Sequence, residues 1–363
     1  MVISRTPYRI SFFGGGTDYP AWYREHGGAV LATAIDKYCY LTCRYLPPFF
    51  EHRLRLVYSK IESCQSPAEV QHPVVRAVLG MLNFERGLEI HHDGDLPARS
   101  GMGSSSSFTV GFLHAMYGLL GRLVSKGQLA TEAIHVEQDL LGETVGAQDQ
   151  ILAAFGGLNF IEFKRDDSFR LEPLPVARDR LEHLNRSLML FYTGLRRTAS
   201  DVAASYVTDI GARSKQLTRM REMVDEGVKI LTGTESLDSF GDLLHEAWRL
   251  KRSLSGVVSN TQVDEIYEEA RRGGARGGKL LGAGGGGFVL FYVPPESREQ
   301  VRDRLKDFLW VPFELDSGGS QIIFYDPERD YAELDRARAQ EPSRAFREAF
   351  AEAGKALTTD GHG

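Results

Sequence analysis

The chain has 363 residues, of which 42% are hydrophobic and 25% are charged, a globular composition long enough for two domains. Its formal net charge of -6 argues against a nucleic-acid-coating protein, because such surfaces are basic overall. Since no apolar run of about eighteen residues and no signal-peptide core stand out, we expect a cytoplasmic protein with no nucleic-acid or membrane partner. Three cysteines, Cys39, Cys43 and Cys64, without zinc-like pairing indicate reduced thiols.

The first predicted element leads into a glycine turn. Residues Tyr8 to Phe13 alternate as a strand does, and the chain then runs through Gly14, Gly15, Gly16, Thr17 and Asp18. Glycines permit backbone shapes and close approaches that side chains forbid. A turn capped by Asp18 and a ligand-binding loop both remain open. Residues 28–45, rich in β-branched and aromatic side chains, predict two strand segments, and residues 67–83 predict a helix.

A glycine- and serine-rich stretch lies between a predicted strand, Gly87 to His92, and a predicted amphipathic helix. The helix carries an apolar stripe of Phe108, Phe112, Met116, Leu119 and Leu120. The stretch itself contains Pro97, Gly101, Met102, Gly103, Ser104, Ser105, Ser106 and Ser107. A helix start has unpaired N–H groups and a partial positive charge, so this junction favours a phosphate. The alternative is a serine N-cap, for which one serine would suffice. No lysine follows Gly103, which disfavours a Walker A loop.

The second half of the chain contains further candidate residues on predicted helices and turns. Residues 129–141 predict a helix that carries Glu137, and Asp149 follows at the start of a short helix, where capping and catalysis both remain possible. Residues 158–163 and 187–192 predict strands on either side of a candidate domain boundary at 173–184. Helices are expected over 199–231, 235–255, 262–272 and 330–356. The glycine run 282–287 precedes a strand-like segment and not a helix, so it is no dinucleotide fingerprint, and a plain turn is the alternative.

Three of these stretches, with Asp149 between the second and third, resemble the motifs of the GHMP small-molecule kinase superfamily. They are residues 7–19, the loop from Pro97 to Ser106, and residues 279–288, in family order. The resemblance implies an α+β fold with two domains. Residues 1–180 would form an ATP-binding domain like ribosomal protein S5 domain 2, and residues 181–363 a ferredoxin-like domain, with the site between them.

The resemblance also implies roles for individual residues. The loop would bind the phosphates of ATP, Ser105 and Glu137 would hold Mg²⁺, and Asp149 and Arg9 would be catalytic. Substrate-binding residues would be Gly15, Gly16, Thr17, Asp18, Arg197, Lys251, Gly284 and Gly285. Phosphoryl transfer needs mainly positioning and charge neutralisation, and a cation, a carboxylate, main-chain donors and a metal supply both.

The choice of acceptor sugar is narrowed by a departure from the galactokinase motif. That motif has Glu-His where this chain has Gly15 and Gly16, which argues against galactose. The triple glycine, residues 192–197 and residues 280–287 resemble the heptose 7-phosphate kinase branch, which implies phosphorylation of an anomeric C1 hydroxyl on a sugar phosphate. A kinase for an unphosphorylated sugar such as fucose and a catalytically silent sugar-binding regulator are the alternatives. The presence of Arg9, Ser105, Glu137 and Asp149 together favours an enzyme. The oligomeric state is not predicted.

Overall fold

Strands and helices both contribute to this chain, and the strands pair into two separate sheets. A computed structural model describes residues 1–195, 210–327 and 330–340. The strands are β1 (Val2–Phe13), β2 (Gly28–Tyr45), β3 (Leu54–Val57), β4 (Ile61–Cys64), β5 (Leu88–Gly94), β6 (Leu158–Phe163), β7 (Phe169–Pro173), β8 (Leu188–Tyr192), β9 (Gly277–Leu280), β10 (Phe288–Tyr292), β11 (Leu309–Val311), β12 (Leu315–Asp316) and β13 (Gln321–Tyr325). The helices are α1 (Pro20–His26), α2 (Pro73–Met81), α3 (Ser104–Leu119), α4 (Lys126–Ile134), α5 (Gln148–Phe155), α6 (Arg178–Ser187), α7 (Ser214–Thr232), α8 (Asp238–Leu254), α9 (Thr261–Arg272), α10 (Arg298–Arg304) and α11 (Ala332–Gln340). The predicted α+β class is confirmed.

The two sheets differ in size. Over the described ranges the larger sheet has nine strands, in the order β13-β1-β2-β5-β3-β4, with β6 and β12 also paired to β2 and β7 paired to β6. The smaller has four, in the order β11-β8-β10-β9, and each of its pairs is antiparallel. Helix α3 packs on β1 and β2, and α8 packs on β9 and β10. The active-site residues described below come from β1 and the turn after it, the loop before α3, α3 itself, the segment after α4, α5, α8, β9 and the loop before β10.

The segment expected to hold two strands forms one long strand, β2. Its first part, residues 28–33, pairs with β6, whereas residues 39–45 pair with β5. Its pairing with β1 shifts register between Pro7 and Arg9 and again between Ser11 and Phe13. Bulges of this kind bend and twist a strand locally. One strand can therefore change partner without a break, and a local sequence pattern does not reveal this.

Helix α3 is buried on more sides than an amphipathic helix would be. Phe108, Phe112 and Met116 of the predicted stripe are buried, but Ser106 and Val110 on the opposite face are buried as well. The helix contacts α4 and α5 in addition to the sheet. The amphipathic prediction is therefore wrong for most of this helix, because neighbouring helices cover the side that faces away from the sheet.

Most other predicted elements are found with shifted ends. Residues 67–83 form a 3₁₀ turn and α2, and the helix expected at 129–141 begins as α4 and ends in the π-helical segment His135–Leu140. The boundary connector 173–184 contains the start of α6. Residues 199–209 and 341–356, both predicted to be helical, lie outside the described residues.

All three cysteines are buried with free thiols. In the described ranges, no helix has the length and hydrophobicity to cross a bilayer.

The chain passes from the larger sheet to the smaller one and back. Residues 188–311 supply the smaller sheet, and β12 and β13 then pair with β2 and β1. Residues 315–325 therefore belong to the larger sheet, although they follow the predicted domain boundary. The limits 1–180 and 181–363 stay predictions.

Candidate active site

An ion pair joins β1 to the first turn of α5. The Nε and Nη2 atoms of Arg9 donate to Oδ1 and Oδ2 of Asp149, each at 2.6 Å. The Arg9 side chain is 7% exposed and that of Asp149 is 22% exposed, so solvent or a ligand still reaches the carboxylate. A two-point guanidinium–carboxylate contact fixes the orientation of both groups. The two residues predicted to be catalytic are thus in direct contact.

The capping alternative for Asp149 is wrong. Helix α5 begins at Gln148, and its N-cap position is held by Ala147, which makes no side-chain cap. Asp149 lies within the first turn, where the helix dipole favours a carboxylate, but both of its oxygens accept from Arg9. Its orientation is therefore set by the ion pair.

Arg9 also holds the loop that precedes α3. Its Nη1 donates to the carbonyl of Gly101 at 2.6 Å, and its backbone N–H donates to the carbonyl of Met102 at 3.1 Å. Gly103 has φ of 75°, and a Cβ there would lie 3.1 Å from Arg9 Cγ and 3.4 Å from Asp149 Oδ2. A residue without a side chain therefore lets the loop, the helix and the ion pair meet at one point.

The serine cluster begins α3 and does not cap it. Gly103 is the N-cap residue, and residues 104–107 are the first four of the helix, so the serine-cap alternative is wrong. The first N–H groups of an α-helix have no acceptor within the helix and carry its positive end, which suits a phosphate. Ser104 Oγ accepts from the N–H of Arg99 at 3.3 Å, and Ser107 Oγ donates to the carbonyl of Pro7 at 2.8 Å.

The remaining loop residues divide between core and surface. The Met102 side chain is fully buried in the core, whereas Pro97 is half-buried and Ser105 is exposed at the start of α3. Met102 can therefore offer a nucleotide only its backbone. The assignment of residues 97–107 to ATP stays a prediction, supported by the exposed helix start.

Glu137, in the π-helical segment after α4, is buried against α3. Its Oε2 accepts from Ser106 Oγ at 2.9 Å and from Gln150 Nε2, and its Oε1 accepts from Thr109 Oγ1 at 2.7 Å. Burial raises the pKa of Glu137 to about 7, against the lowering effect of these hydrogen bonds. The serine in contact with Glu137 is Ser106, and the predicted metal ligand Ser105 does not bond to it.

The surroundings of Glu137 fit a hard cation that is shared with a nucleotide. The nearby donors are a carboxylate, two hydroxyls and Gln150 Oε1, a buried atom with no hydrogen-bond partner among the described residues. Magnesium prefers oxygen ligands and needs few from the protein when phosphates supply the others. In the part of the chain that the structure describes, no group of three or more His, Cys, Asp or Glu side chains is arranged so that it could hold a metal ion. The metal assignment of Ser105 and Glu137 stays a prediction.

Asp18 lies at the base of the glycine turn and is 1% exposed. Its Oδ1 accepts from the N–H of Gly16 at 2.9 Å, and its Oδ2 accepts from Gln148 Nε2 at 2.8 Å. Burial raises the pKa of Asp18, and the negative charge of Asp149 adds to the rise. Thr17 has a structural role, because its hydroxyl donates to the carbonyls of Gly14 and Ala29. The sugar-binding role of residues 15–18 stays a prediction.

The glycine run before β10 packs directly on the loop before α3, which is called the phosphate loop here after the role predicted for it. The N–H of Phe288 donates to the carbonyl of Ser100 at 3.2 Å, and a Cβ on Gly287 would lie 2.1 Å from that same oxygen. The run lies between β9 and β10, as a turn ahead of a buried strand. Gly285 donates its N–H to Val258, so this amide is already used. Substrate contacts from Gly284 and Gly285 stay a prediction.

Two lysines near the glycine run, Lys251 and Lys279, are buried. Lys251 Nζ donates to the carbonyls of Leu280 and Gly282, and Lys279 Nζ donates to the carbonyl of Phe12 at 2.8 Å. Burial lowers the pKa of both side chains, with repulsion from Arg9 contributing to each, and brings that of Lys279 to about 7. The position of Lys251 on a charged helix suggests a solvated side chain, but both Lys251 and Lys279 are buried. Arg197, the other predicted cation, lies outside the described residues.

Sequence reasoning did not single out four polar residues that complete the site. Thr109 and Gln150 bond to Glu137, and Gln148 bonds to Asp18. Ser11 lies two residues after Arg9 on β1, so the two side chains share one face of the strand. The available signal was proximity in sequence, since Gln148 and Gln150 flank Asp149.

Two family models match the chain at these elements. The GHMP kinases N terminal domain covers residues 71–157, which include the phosphate loop, Glu137 and Asp149. The GHMP kinases C terminal model covers residues 229–309, which include Lys251 and the glycine run. The chain contains the N- and C-terminal domains of a GHMP kinase. This kinase is therefore an ATP-dependent phosphotransferase, and the resemblance based on three motifs is confirmed.

Relatives of the kinase include several sugar kinases. D-glycero-alpha-D-manno-heptose 7-phosphate kinase of Campylobacter jejuni is 29% identical over 314 residues, which cover 84% of this chain and 92% of that protein. The bifunctional fucokinase/GDP-fucose pyrophosphorylase of Arabidopsis thaliana is 30% identical over 83% of this chain but only 31% of its own length. The crystal structure of a D-glycero-D-manno-heptose 1-phosphate kinase from Bacteroides thetaiotaomicron aligns with a TM-score of 0.73 and 25% identity, over 90% of this chain and 100% of that one.

Proposed function

We propose that this kinase transfers the γ-phosphoryl group of ATP to the C1 hydroxyl of D-glycero-D-manno-heptose 7-phosphate. The product would be the 1,7-bisphosphate used for nucleotide-heptose synthesis. The observation that carries this proposal is the Arg9–Asp149 ion pair beside the start of α3, which sets a carboxylate next to the helix end that is proposed to bind phosphate. Similarity to a heptose 7-phosphate kinase over most of both chains supports the sugar.

In the proposed reaction, Asp149 accepts the proton of the C1 hydroxyl. The hydroxyl oxygen forms a bond to the γ-phosphorus, the bond from that phosphorus to the bridging β,γ-oxygen breaks, and ADP leaves. Arg9 holds the carboxylate in place and provides positive charge beside the phosphoryl group that is transferred. Because such transition states are stabilised chiefly by positioning and electrostatics, one fixed carboxylate and one fixed cation are suited to the task.

The nucleotide phosphates would be held by the N–H groups at the start of α3. Ser105, which is exposed there, and Glu137 would hold Mg²⁺ together with those phosphates. When bound, the ion would neutralise phosphate charge. The hydrogen bonds from Ser106, Thr109 and Gln150 fix the orientation of the Glu137 carboxylate.

An acceptor that carries its own phosphate needs local positive charge in a protein that is acidic overall. Lys251 and Lys279 are buried close enough to Arg9 to be repelled by it and can carry such charge when protonated, and Arg197 is a third candidate. A bound phosphate would stabilise the protonated form of each lysine. This is the argument for a sugar phosphate over a free sugar.

A kinase for an unphosphorylated sugar is the second candidate, and the similarity to a fucokinase favours it. The two functions predict different kcat/KM values for the same sugar with and without its phosphate. We would measure ADP release with D-glycero-D-manno-heptose 7-phosphate, the same heptose without phosphate, L-fucose, D-mannose and D-galactose. A kcat/KM at least about tenfold higher for the heptose phosphate than for the free heptose would support the proposal. Preference for L-fucose or another free sugar would overturn it.

A further inference from the structure

Two buried polar atoms beside the Arg9–Asp149 pair have no hydrogen-bond partner among the described residues: Ser11 Oγ and Gln148 Oε1. Each residue is 8% exposed. Ser100 Oγ in the loop before α3 and Gln150 Oε1 next to Glu137 also lack partners there, whereas the carboxylates of Asp18 and Glu137 are bonded. Since buried polar groups in native proteins nearly always have partners, this pair calls for one.

The two side chains flank an open position above Gly15. A Cβ built on Gly15 would lie 3.5 Å from Ser11 Oγ and 3.7 Å from Gln148 Nε2, with no other described heavy atom within 4 Å apart from its own chain neighbours. These two contacts are ordinary van der Waals distances. A small polar group that approaches over Gly15 therefore reaches both side chains, and the missing side chain of Gly15 leaves it room.

The hydrogen-bonding capacity of the pair identifies the missing group. The Nε2 atom of Gln148 already donates to Asp18. Its Oε1 is an amide oxygen and can only accept a hydrogen bond. The Ser11 hydroxyl can both donate and accept. A single ligand hydroxyl satisfies the two, because it can donate to Gln148 Oε1 and accept from Ser11.

The pair also has a defined position relative to the reacting atoms. Ser11 is on the same face of β1 as Arg9, and Gln148 directly precedes Asp149 in α5. The hydroxyl they would bind is therefore a neighbour of the one that receives the phosphoryl group. We propose that Ser11 and Gln148 together recognise the C2 hydroxyl of the sugar whose C1 hydroxyl is phosphorylated. The choice of C2 rests on the proposed function.

The test compares a sugar with its 2-deoxy analogue in the wild-type enzyme and in Ser11→Ala. The pairs are D-glycero-D-manno-heptose 7-phosphate with its 2-deoxy form, and D-mannose with 2-deoxy-D-arabino-hexose. In the wild type, loss of the hydroxyl should lower kcat/KM at least about tenfold, because the partner groups are left unpaired. In Ser11→Ala this ratio should fall to about threefold or less, while the KM for ATP stays unchanged. Ser11→Thr, which keeps a hydroxyl, should restore discrimination.

A matched control is Ser4→Ala, also on β1, whose buried hydroxyl is already bonded to the carbonyl of Gly111 at 2.8 Å. It should lower the melting temperature and leave the ratio at its wild-type value. If Ser11→Ala slows the parent sugar and the deoxy sugar by the same factor, or keeps full discrimination, the inference is wrong. If only unphosphorylated sugars are substrates, the proposed function fails, yet the mannose pair still decides the inference. Should no sugar be turned over, calorimetric affinities for the same pairs give the ratio instead.

Discussion

Arg9 donates to both carboxylate oxygens of Asp149, so neither side chain can be changed without releasing the other. The contact links β1 to α5 across 140 residues of sequence. It also connects to the phosphate loop through the carbonyl of Gly101. One guanidinium therefore positions the proposed proton acceptor and the loop that would hold the phosphates.

Asp149→Asn should reduce kcat by roughly a hundredfold or more, because an amide can orient a hydroxyl but hardly accepts its proton. The melting temperature should fall as well, since Arg9 loses its charged partner in a largely buried position. Binding of ATP, measured by calorimetry, should change little. Asp139→Asn is the control, because Asp139 makes an exposed pair with His135. Turnover near the wild-type rate would remove Asp149 from the mechanism.

Gly103→Ala should weaken ATP binding, because its Cβ would crowd Arg9 and Asp149 where the loop enters α3. Gly121→Ala provides the matched control: Gly121 also has positive φ, 66° against 75°, but a Cβ there would meet nothing within 4 Å. Both variants should lose roughly 1 kcal/mol of stability through backbone strain. Only Gly103→Ala should lose ATP affinity in a titration, and equal affinities would contradict the role of this loop.

The serines at positions 105 and 106 should behave differently when replaced by alanine. Ser106→Ala removes a donor from buried Glu137 and should cost about 1–3 kcal/mol of stability. Ser105→Ala, at an exposed position, should leave the melting temperature unchanged and raise the Mg²⁺ concentration needed for half-maximal rate. Melting curves and Mg²⁺ titrations of the two variants give both quantities. A Mg²⁺ requirement unaffected by Ser105→Ala would exclude this serine as a ligand.

Lys279→Met should stabilise the protein most at low pH. The pKa of Lys279 falls from 10.5 to about 7 in the folded chain through burial and repulsion from Arg9, while Asp18 opposes the fall. Burial and repulsion from Lys279 and Arg9 also lower the pKa of the neighbouring Lys251. The unfolded chain therefore binds more protons between pH 7 and 10.5, and wild-type stability rises with pH across that window.

The gain from Lys279→Met should accordingly be complete below pH 7 and should shrink towards pH 10.5. Urea unfolding at pH 6.5 and 9.5 measures it, with Lys60→Met at an exposed position as the control. The lost hydrogen bond to Phe12 contributes a pH-independent offset, so the comparison rests on the slope. An identical gain at both values of pH would show that Lys279 does not titrate in this range.

The motif stretches predicted much of this site because local sequence encodes local backbone. Gly103 and the serines do form a loop that enters a helix, and the family was correctly identified from three such motifs. The chemistry expected of Asp149 was left open between capping and catalysis, since a helix-start aspartate has the same pattern in either case. Its contact with Arg9 depends on tertiary packing, which no local pattern reports.

Other features were missed for the same reason. Lys251 lies on a helix among charged residues, yet it is buried and donates to the carbonyls of Leu280 in β9 and Gly282 in the glycine run. The sequence predicted two strands where the structure has only β2. Its two partners, β5 and β6, lie far apart in sequence, so no local pattern shows that one strand pairs with both. Burial and partner choice are long-range properties, so helix and strand periodicity could not supply them.

The return of the chain to its first sheet has a consequence during synthesis. Strand β1 lies between β2 and β13, and roughly 300 residues are made after β1 before β13 appears. At about 5–20 residues per second, the outer edge of β1 waits on the order of 15–60 s on the ribosome for its partner. An unpaired strand edge is a template for association with other chains. A strand made late therefore protects the edge of the first strand, and truncation before residue 321 leaves that edge open.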